Sequence, residues 1–148
     1  MTARRGSLRR RWLAVSAAMG AVAAGVAAAR LARLEPMLVR GGSMWPTLLP
    51  GQRIAVGPPA RPLRRGAVVV VRRPELDDLE VVKRVVGLPG ERVHLLGGRT
   101  LGPDEYFVLG DNREASTDGR AFGPVDWDRI VGEVRFAYWP PRRLRPRR

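Results

Sequence analysis

The sequence predicts a small, mostly β domain that follows one N-terminal transmembrane helix. Three observations lead to this prediction. Residues 12–29 form an uncharged apolar run, and after residue 34 short Val-rich runs alternate with Gly and Pro. No long segment after residue 34 has the periodic apolar spacing of an amphipathic helix. With 148 residues, the chain has room for one domain.

The apolar run is long enough to cross a bilayer. As a helix, residues 12–29 span about 27 Å, close to the roughly 30 Å of the hydrocarbon layer. Leu31 and Ala32 extend the run if Arg30 reaches back to the interface. Five Arg precede it, and this positive-inside bias places the N-terminus in the cytoplasm. We therefore predict a cytoplasmic Arg-rich N-terminus (1–11), a membrane anchor (12–32) and an extracytoplasmic domain (33–141).

Two other interpretations of the apolar run stay open. A cleavable signal peptide would end at the small residues Ala27-Ala28-Ala29, and it too would export the rest of the chain. The run is long for such a peptide and lacks a Leu-rich centre, which favours the uncleaved anchor. A buried core helix would need a polar face, and the run shows none.

The segment after the anchor predicts a series of short strands. Each is rich in Val, Ile or aromatic residues and is bounded by turn residues. The predicted strands are 54–56, 67–71, 81–86, 106–109 and 130–138, and a hairpin joins 93–96 to 100–101 through two Gly. The domain ends before an Arg-rich tail, residues 142–148, which we expect to be unstructured.

Charge and composition exclude several classes of function. Residues 1–11 and 142–148 each hold five Arg and no acid, so the net charge of +13 leaves 17 basic and 14 acidic residues between them. A nucleic-acid-binding domain would carry a basic face interleaved with aromatic residues, so nucleic acid is not a predicted partner. The chain has no Cys and one His, which disfavours disulfides, a Cys nucleophile and most metal sites. We predict no metal and no cofactor.

The first segment that could carry chemistry is GGSMWPTL, residues 41–48. Gly permits unusual backbone angles and the close approach of a substrate chain. An exposed Ser43 with a free backbone N–H beside it could act as a nucleophile with half an oxyanion hole. Taken alone, the segment is also typical of a surface turn. Met44 and Trp45 are then either core residues or an apolar lip toward lipid or substrate.

The second segment contains the only lysine, Lys83, whereas the other 26 basic residues are Arg. If the Val-rich strand buries Lys83, burial lowers the pKa of the amine and makes a neutral general base available to a Ser hydroxyl. Arg stays protonated and cannot take this role. A lysine that simply points to solvent remains open, because strand alternation does not decide which face Lys83 takes.

The third segment is a polar loop, GDNREASTDGR, at residues 110–120. Its paired acids and arginines are typical of a hydrogen-bonded turn network, which is also the structural interpretation of the loop. Ser116 is the only serine after the anchor besides Ser43. Its hydroxyl could orient the Lys83 amine, as a third group orients the base in other nucleophilic sites.

A Ser–His arrangement is the weaker alternative for the nucleophile. It would pair Ser43 with His94 and use Asp111 or Asp118 as the third member. His94 lies in a predicted hairpin strand and has no supporting motif.

Taken in order behind an anchor, the segments GGSMWPTL, VVKRVVGLPGE and GDNREASTDGRAFGPV resemble the type I signal peptidases, the Ser–Lys membrane proteases that remove signal peptides. The resemblance implies a small β-rich signal-peptidase-like catalytic core on the extracytoplasmic side of the cell membrane, with an apolar surface near the bilayer. It implies preprotein signal peptides as substrates and acyl transfer as the reaction.

The resemblance also implies roles for individual residues. Ser43 is the implied nucleophile, its backbone N–H helps to form the oxyanion hole, Lys83 is the general base, and Ser116 hydrogen-bonds the lysine. The residues implied to support the site are Gly42, Met44, Asp111, Asn112, Asp118 and Arg120.

Three features depart from the larger members of this family. Gly41 stands where some bacterial members have a Ser whose hydroxyl joins the oxyanion hole, and Gly119 stands where the pattern often has Ser. Only 18 residues separate Glu91 from Gly110, so a second β domain that larger members place there has no room. The chain resembles short members, some of which mature a single partner protein.

Other classes of function compete with this interpretation. A self-cleaving repressor shares the Ser–Lys chemistry but carries a DNA-binding helical module, which the apolar N-terminal segment does not supply. A catalytically silent, membrane-anchored binding module would often have lost Ser43 or Lys83, and both are present. A membrane or nucleic-acid adaptor would depend on the tail, residues 142–148.

Overall fold

The computed structural model describes residues 19–22, 24–25, 33–73, 75 and 77–140. Within these ranges, no helix is both long and apolar enough to cross a membrane. Most of the predicted anchor, the N-terminal 11 residues and the tail 142–148 lie outside the described residues. The anchor and the unstructured tail therefore stay predictions.

The chain divides between Leu34 and Glu35, and β-strands are the main regular secondary structure of the C-terminal part. The predicted mostly β class is confirmed. The strands are β1 (Glu35–Leu38), β2 (Arg53–Gly57), β3 (Val68–Arg73), β4 (Leu79–Gly87), β5 (Arg92–Val93), β6 (Arg99–Thr100), β7 (Glu105–Leu109), β8 (Val125–Asp126) and β9 (Ile130–Trp139). One four-residue helix, α1 (Gly119–Phe122), precedes β8.

Seven of these strands form one antiparallel sheet in the order β1-β2-β9-β3-β4-β7-β8. In the β3–β4 pair, Val69 lies opposite Lys83 and Arg73 lies opposite Leu79. β7 pairs with β4 only from Arg84 onward, so the first half of β4 has β3 as its one described neighbour in the sheet. β5 and β6 form a separate two-stranded ribbon.

The central Val-rich strands are buried on both faces of the sheet. Val69 and Val71 join one apolar cluster with Val108, whereas Val70 joins a second cluster with Met44. Side chains alternate between the faces of a strand, so a continuous Val run fills both clusters at once. This arrangement places Lys83, opposite Val69, on the face of the first cluster.

The sequence misplaced part of the hairpin. Residues His94–Leu96 form a 3₁₀ turn and not the strand that we predicted. Gly97 and Gly98 have φ angles of 65° and 82°, and the Gly97 N–H donates to the His94 carbonyl, so the chain turns before the strand can continue. The short elements β1, β8 and α1 were not predicted, because they lack a Val-rich run.

The core leaves little room at Gly132 in β9. A Cβ there would lie 2.4 Å from Val56 Cγ1 and 3.0 Å from the Gly57 carbonyl oxygen. We therefore expect Gly132→Ala to lower the free energy of unfolding by about 1–3 kcal/mol through overpacking. Urea denaturation followed by tryptophan fluorescence measures this change.

The matched control is Gly102→Ala, whose Cβ would have the Glu105 side chain as its nearest neighbour, at 3.4 Å. Its free energy of unfolding should change much less than that of Gly132→Ala. Equal losses in the two variants would contradict the packing argument.

Candidate active site

Ser43 lies in a turn that is fixed to the sheet by its neighbour Met44. Met44 is 1% exposed and packs into the second apolar cluster, so it is a core residue, whereas Trp45 is 55% exposed. Gly41 has a φ of 81°, a left-handed conformation that favours Gly. The Trp45 N–H donates to the Gly42 carbonyl at 3.1 Å and closes the turn. Burial of Met44 therefore determines where Ser43 is held.

The structure brings Lys83 to Ser43. The Lys83 side chain is 3% exposed, and its Nζ donates to Ser43 Oγ at 3.0 Å. The two residues are 40 positions apart in the chain, and they meet because the Ser43 turn packs beside the first half of β4. The alternative of a solvent-facing lysine is wrong.

The environment of Lys83 favours its neutral form. Burial lowers the pKa of the amine, because removing water destabilises the ammonium ion. The Asp118 carboxylate acts in the opposite direction and raises this pKa, and the positive charge of Arg73 lowers it further. The net direction is downward, so the amine loses its proton at a lower pH than an exposed lysine does.

Arg84, the residue after the lysine, connects β4 to the other two segments. Its Nε and Nη2 donate to the two carboxylate oxygens of Asp111 at 2.8 and 2.7 Å, and its Nη2 also donates to Thr47 Oγ1 at 3.3 Å. These hydrogen bonds from Arg84 hold the pKa of Asp111 below its ordinary value. The Asn112 N–H donates to the Ser43 carbonyl at 2.9 Å. The loop at 110–120 is therefore attached directly to the Ser43 turn.

Asp118 closes this loop on itself and caps α1. Its side chain is fully buried, which alone would raise its pKa, but hydrogen bonds from Arg120 and from the Gly110 N–H outweigh that effect. The resulting pKa is about 2. Arg120 also donates to the Arg113 carbonyl, so one carboxylate and one guanidinium hold both ends of the loop.

The hydrogen bond expected between Ser116 and Lys83 is not formed. Ser116 Oγ is buried and has no hydrogen-bond partner among the described residues, although it lies close enough to Asp118 to help lower the pKa of that carboxyl. A Cβ at Gly110 would lie 2.1 Å from Ser116 Oγ and 2.7 Å from the Ser43 carbonyl oxygen. Only Gly therefore lets the two serine segments come this close.

Two residues of this site received no role in the sequence analysis. Arg84 and Gly110 lie inside the quoted motifs, but nothing in their residue types alone indicates an ion pair or a close approach. Their adjacency to Lys83 and Asp111 was the available signal.

A cleft of about 690 Å³ opens beside Ser43 and Lys83. Residues 37–41, 43 and 44 line one wall, and residues 78–83 line the other. The second wall is the half of β4 that β7 does not pair, so its backbone edge faces the cleft. His94 lines a different cleft, of about 620 Å³, and takes no part in the contact made by Ser43.

A serine hydroxyl within hydrogen-bond distance of a buried amine, beside an open cleft, is compatible with a serine peptidase. The family profile described as "Signal peptidase, peptidase S26" matches residues 9–101 and 94–139. The chain belongs to this signal peptidase family, and the resemblance drawn from the three motifs is confirmed.

Curated relatives agree with this assignment. Signal peptidase IB of Staphylococcus aureus is 35% identical over an alignment that covers 72% of this chain and 78% of the relative. Signal peptidase I of Bacillus caldolyticus is also 35% identical, and the alignment covers 78% of this chain and 85% of the relative.

The lowered pKa of Asp118 predicts a loss of stability in acid. Because this pKa falls from 3.8 to about 2 on folding, the carboxylate stabilises the fold above about pH 4 and loses this effect as the pH falls through about 2. Asp118→Asn keeps a hydrogen-bond acceptor and removes the charge. We expect it to lower the free energy of unfolding at neutral pH by about 2 kcal/mol and to flatten the acid dependence.

Urea denaturation at a series of pH values measures both effects. Asp128→Asn, at an exposed position on the same domain, is the control and should leave the acid dependence unchanged. The assignment is wrong if Asp118→Asn retains the full wild-type loss of stability in acid.

Proposed function

We propose that this chain is a membrane-anchored serine endopeptidase that removes N-terminal signal peptides from exported preproteins. Ser43 is the nucleophile and Lys83 is the general base. The observation that carries the proposal is the 3.0 Å hydrogen bond between Lys83 Nζ and Ser43 Oγ, made by a buried amine whose pKa is lowered. The substrate class is supported by the relatives, which are named signal peptidases.

In the proposed reaction, the neutral Lys83 amine takes the Ser43 hydroxyl proton as Oγ bonds to the scissile carbonyl carbon. The carbonyl electrons move to oxygen, and the Ser43 backbone N–H donates to the oxyanion. The Lys83 ammonium then gives its proton to the departing amine as the C–N bond breaks, which leaves an acyl ester. Water that gives a proton to Lys83 hydrolyses the ester and restores the Ser43 hydroxyl.

The remaining predicted site residues position this pair. Asp111 and Asn112 hold β4 and the Ser43 turn to the polar loop, and Asp118 with Arg120 keeps that loop closed. We assign the buried Ser116 hydroxyl, which has no partner in the described residues, to hydrogen-bond the Lys83 ammonium once it has taken its proton.

The cleft fits an extended substrate chain. Backbone groups on the edge of residues 79–83 that β7 does not pair can bond to a peptide laid in the cleft, as in other cases of strand addition to a sheet edge. Ser43 and Lys83 would then meet the carbonyl at the cleavage point. The family resemblance implies that cleavage follows a small residue.

We place the catalytic domain on the extracytoplasmic side of the cell membrane, behind the predicted anchor 12–32. Large apolar side chains at the end of β9, at the end of β1 and in the Ser43 turn are exposed and would face lipid in this arrangement. They are Leu38, Trp45, Phe136, Tyr138 and Trp139.

Dedication to one partner protein is a narrower form of the same proposal. The feature that favours it is the connection of 18 residues between Glu91 and Gly110, which holds only the β5–β6 ribbon where the resemblance implies a second β domain in larger members. A catalytically silent binding module is disfavoured, because such a module would not need to keep Lys83 buried against Ser43.

The direct test is cleavage of a preprotein by the full chain in detergent. Ser43→Ala removes the nucleophile and Lys83→Arg replaces a base that can lose its proton with one that cannot, so we expect each to lower kcat/KM by at least about 1000-fold. Cleavage sites are read by mass spectrometry of the products.

Thr100→Ala, which removes a hydroxyl on the distant β6, is the matched control and should cleave as the wild type does. Activity that survives both site substitutions would eliminate the Ser–Lys assignment. Cleavage of a single preprotein from a mixed set, lost in both variants, would select the dedicated form of the function.

The rate of cleavage should also depend on pH through the protonation of Lys83. Because burial lowers the pKa of this amine below 10.5, kcat/KM should rise with pH as the amine loses its proton and level off above its pKa. A profile of kcat/KM against pH, from about pH 6 to about pH 11, measures this rise. A profile that is flat across this range would show that Lys83 is not the base.

A further inference from the structure

A second cleft follows the first one along β4. The first cleft is lined by residues 78–83, of which Lys83 is the last, and the second, of about 620 Å³, is lined by Val86 and the glycine after it. Because side chains alternate along a strand, Val82 and Val86 point to the same face of the sheet. Val82 packs with Met44, so the second cleft opens on the face that holds the nucleophile turn.

Strand β7 determines where a bound substrate chain leaves the sheet. A chain bonded to the free edge at residues 79–83 lies in line with β7, which pairs with that edge from Arg84 onward and ends at Leu109. The substrate must therefore leave the plane of the sheet beside Leu109, which lines the second cleft. Lys83 and Val86 are about 10 Å apart at about 3.3 Å per residue, so about three extended residues past the cleavage point reach this cleft.

The polar loop connects the second cleft to the nucleophile turn. Arg113 lines the cleft, and the N–H of the preceding residue, Asn112, donates to the Ser43 carbonyl at 2.9 Å. The Arg113 carbonyl accepts from Arg120, which holds the backbone at this position. The base of the Arg113 side chain is therefore fixed relative to Ser43.

The second cleft carries an excess of positive charge. Three arginines line it, and one of them, Arg65, is neutralised by Glu91, whose carboxylate also accepts from the Leu88 N–H. The other two, Arg92 and Arg113, form no ion pair with a carboxylate in the described part of the chain. The cleft can therefore take an anionic group without displacing an existing ion pair.

These two arginines are held in place by other contacts. The Arg92 Nε donates to the Gly98 carbonyl at 2.9 Å, which lays the side chain against the turn of the β5–β6 ribbon. Asp111 is the acid that Arg113 attracts, but its two carboxylate oxygens already accept from Arg84. Both guanidinium groups thus keep donors for a further carboxylate.

The floor of the second cleft is apolar. Phe107 and Leu109 are buried beneath it, whereas Leu95 is exposed beside it. The His94 imidazole also lines the cleft and supplies a polar group. An occupant that uses both features carries carboxylates for the arginines and an apolar side chain for the floor. A peptide with acidic residues on either side of an apolar one has this chemistry.

We propose that the second cleft binds an acidic segment of the substrate, about three residues past the cleavage point, and thereby selects among preproteins. Arg92 and Arg113 bind the carboxylates, and the apolar floor receives the side chain between them. The proposal rests on the peptidase function proposed above, because it takes the substrate chain to run past Ser43.

Binding to an inactive full chain tests the proposal without any need for cleavage. Fluorescently labelled peptides contain a cleavage point after a small residue and carry Asp-Leu-Glu or Asn-Leu-Gln at the second to fourth positions beyond it. Their affinity for the Ser43→Ala chain is measured by fluorescence anisotropy in neutral detergent at low ionic strength. We expect the acidic peptide to bind about 5- to 20-fold more tightly, and this advantage to fall as salt is added.

Substitutions in the second cleft should remove the preference for acid. Arg92→Gln and Arg113→Gln should each remove part of the advantage of the acidic peptide, and the double variant most of it. Arg53→Gln is the matched control, since Arg53 is an exposed arginine on β2, outside both clefts and in no ion pair among the residues that the structure describes. It changes the net charge equally and should keep the full advantage.

Three results would overturn the proposal. They are equal affinity of the acidic and amide peptides, an equal loss of preference in Arg53→Gln, and an equal advantage when the same acids are placed before the cleavage point. The last two would show attraction to the net positive charge of the chain and not to this cleft.

Cleavage separates this proposal from the peptidase function itself. In the chain that keeps Ser43, the acidic residues should raise kcat/KM by a factor similar to the gain in affinity. Equal kcat/KM for both peptides, despite unequal binding, would overturn the role of the second cleft in selection. If this chain cleaves neither peptide while the acid preference persists and depends on Arg92 and Arg113, the acidic site stands and the Ser–Lys assignment fails.

Discussion

A primary amine inside an apolar sheet is the constraint around which this site is organised. At 3% exposure, the Lys83 ammonium would lose most of its hydration, and no ion pair joins it to a carboxylate within the described residues. Burial therefore lowers the pKa of the amine, and its hydrogen bond goes to Ser43. Arginine at this position would keep its proton and bury a charge. The buried position 83 in β4 therefore suits a lysine, although every other basic residue of the chain, apart from one histidine, is an arginine.

The geometry around this amine comes from backbone contacts between separate segments. The Asn112 N–H donates to the Ser43 carbonyl, the Gly110 N–H donates to Asp118, and Met44 anchors the Ser43 turn in the core. A hydroxyl must lie within hydrogen-bond distance of its base, and errors of about 1 Å are costly. Contacts made by the main chain and by buried side chains have few alternative conformations, so they suit this task.

The sequence predicted the strands with long Val-rich runs and the segments that meet at the site, because both signals are local. It did not decide which face Lys83 takes, since alternation within β4 is compatible with either face. The contact between Lys83 and Ser43 spans 40 residues and depends on how the Ser43 turn packs beside β4, which no local pattern encodes. The bulges in β9 and the early turn at Gly97 were also not predicted, because no local sequence pattern encodes them.

The departure at Gly119 follows from the packing behind the polar loop. A Cβ at Gly119 would lie 2.6 Å from Phe107 Cε2 and 2.7 Å from the Val108 carbonyl oxygen, so a serine does not fit while Phe107 occupies this space. Phe107 in turn packs with Val93 in β5 and with Leu101, the residue after β6. The Phe107 ring therefore lies between the β5–β6 hairpin and Gly119, the first residue of α1. The missing side chain at Gly119 leaves room for the Phe107 ring. Through this ring, the β5–β6 hairpin packs against the loop that holds Asp118.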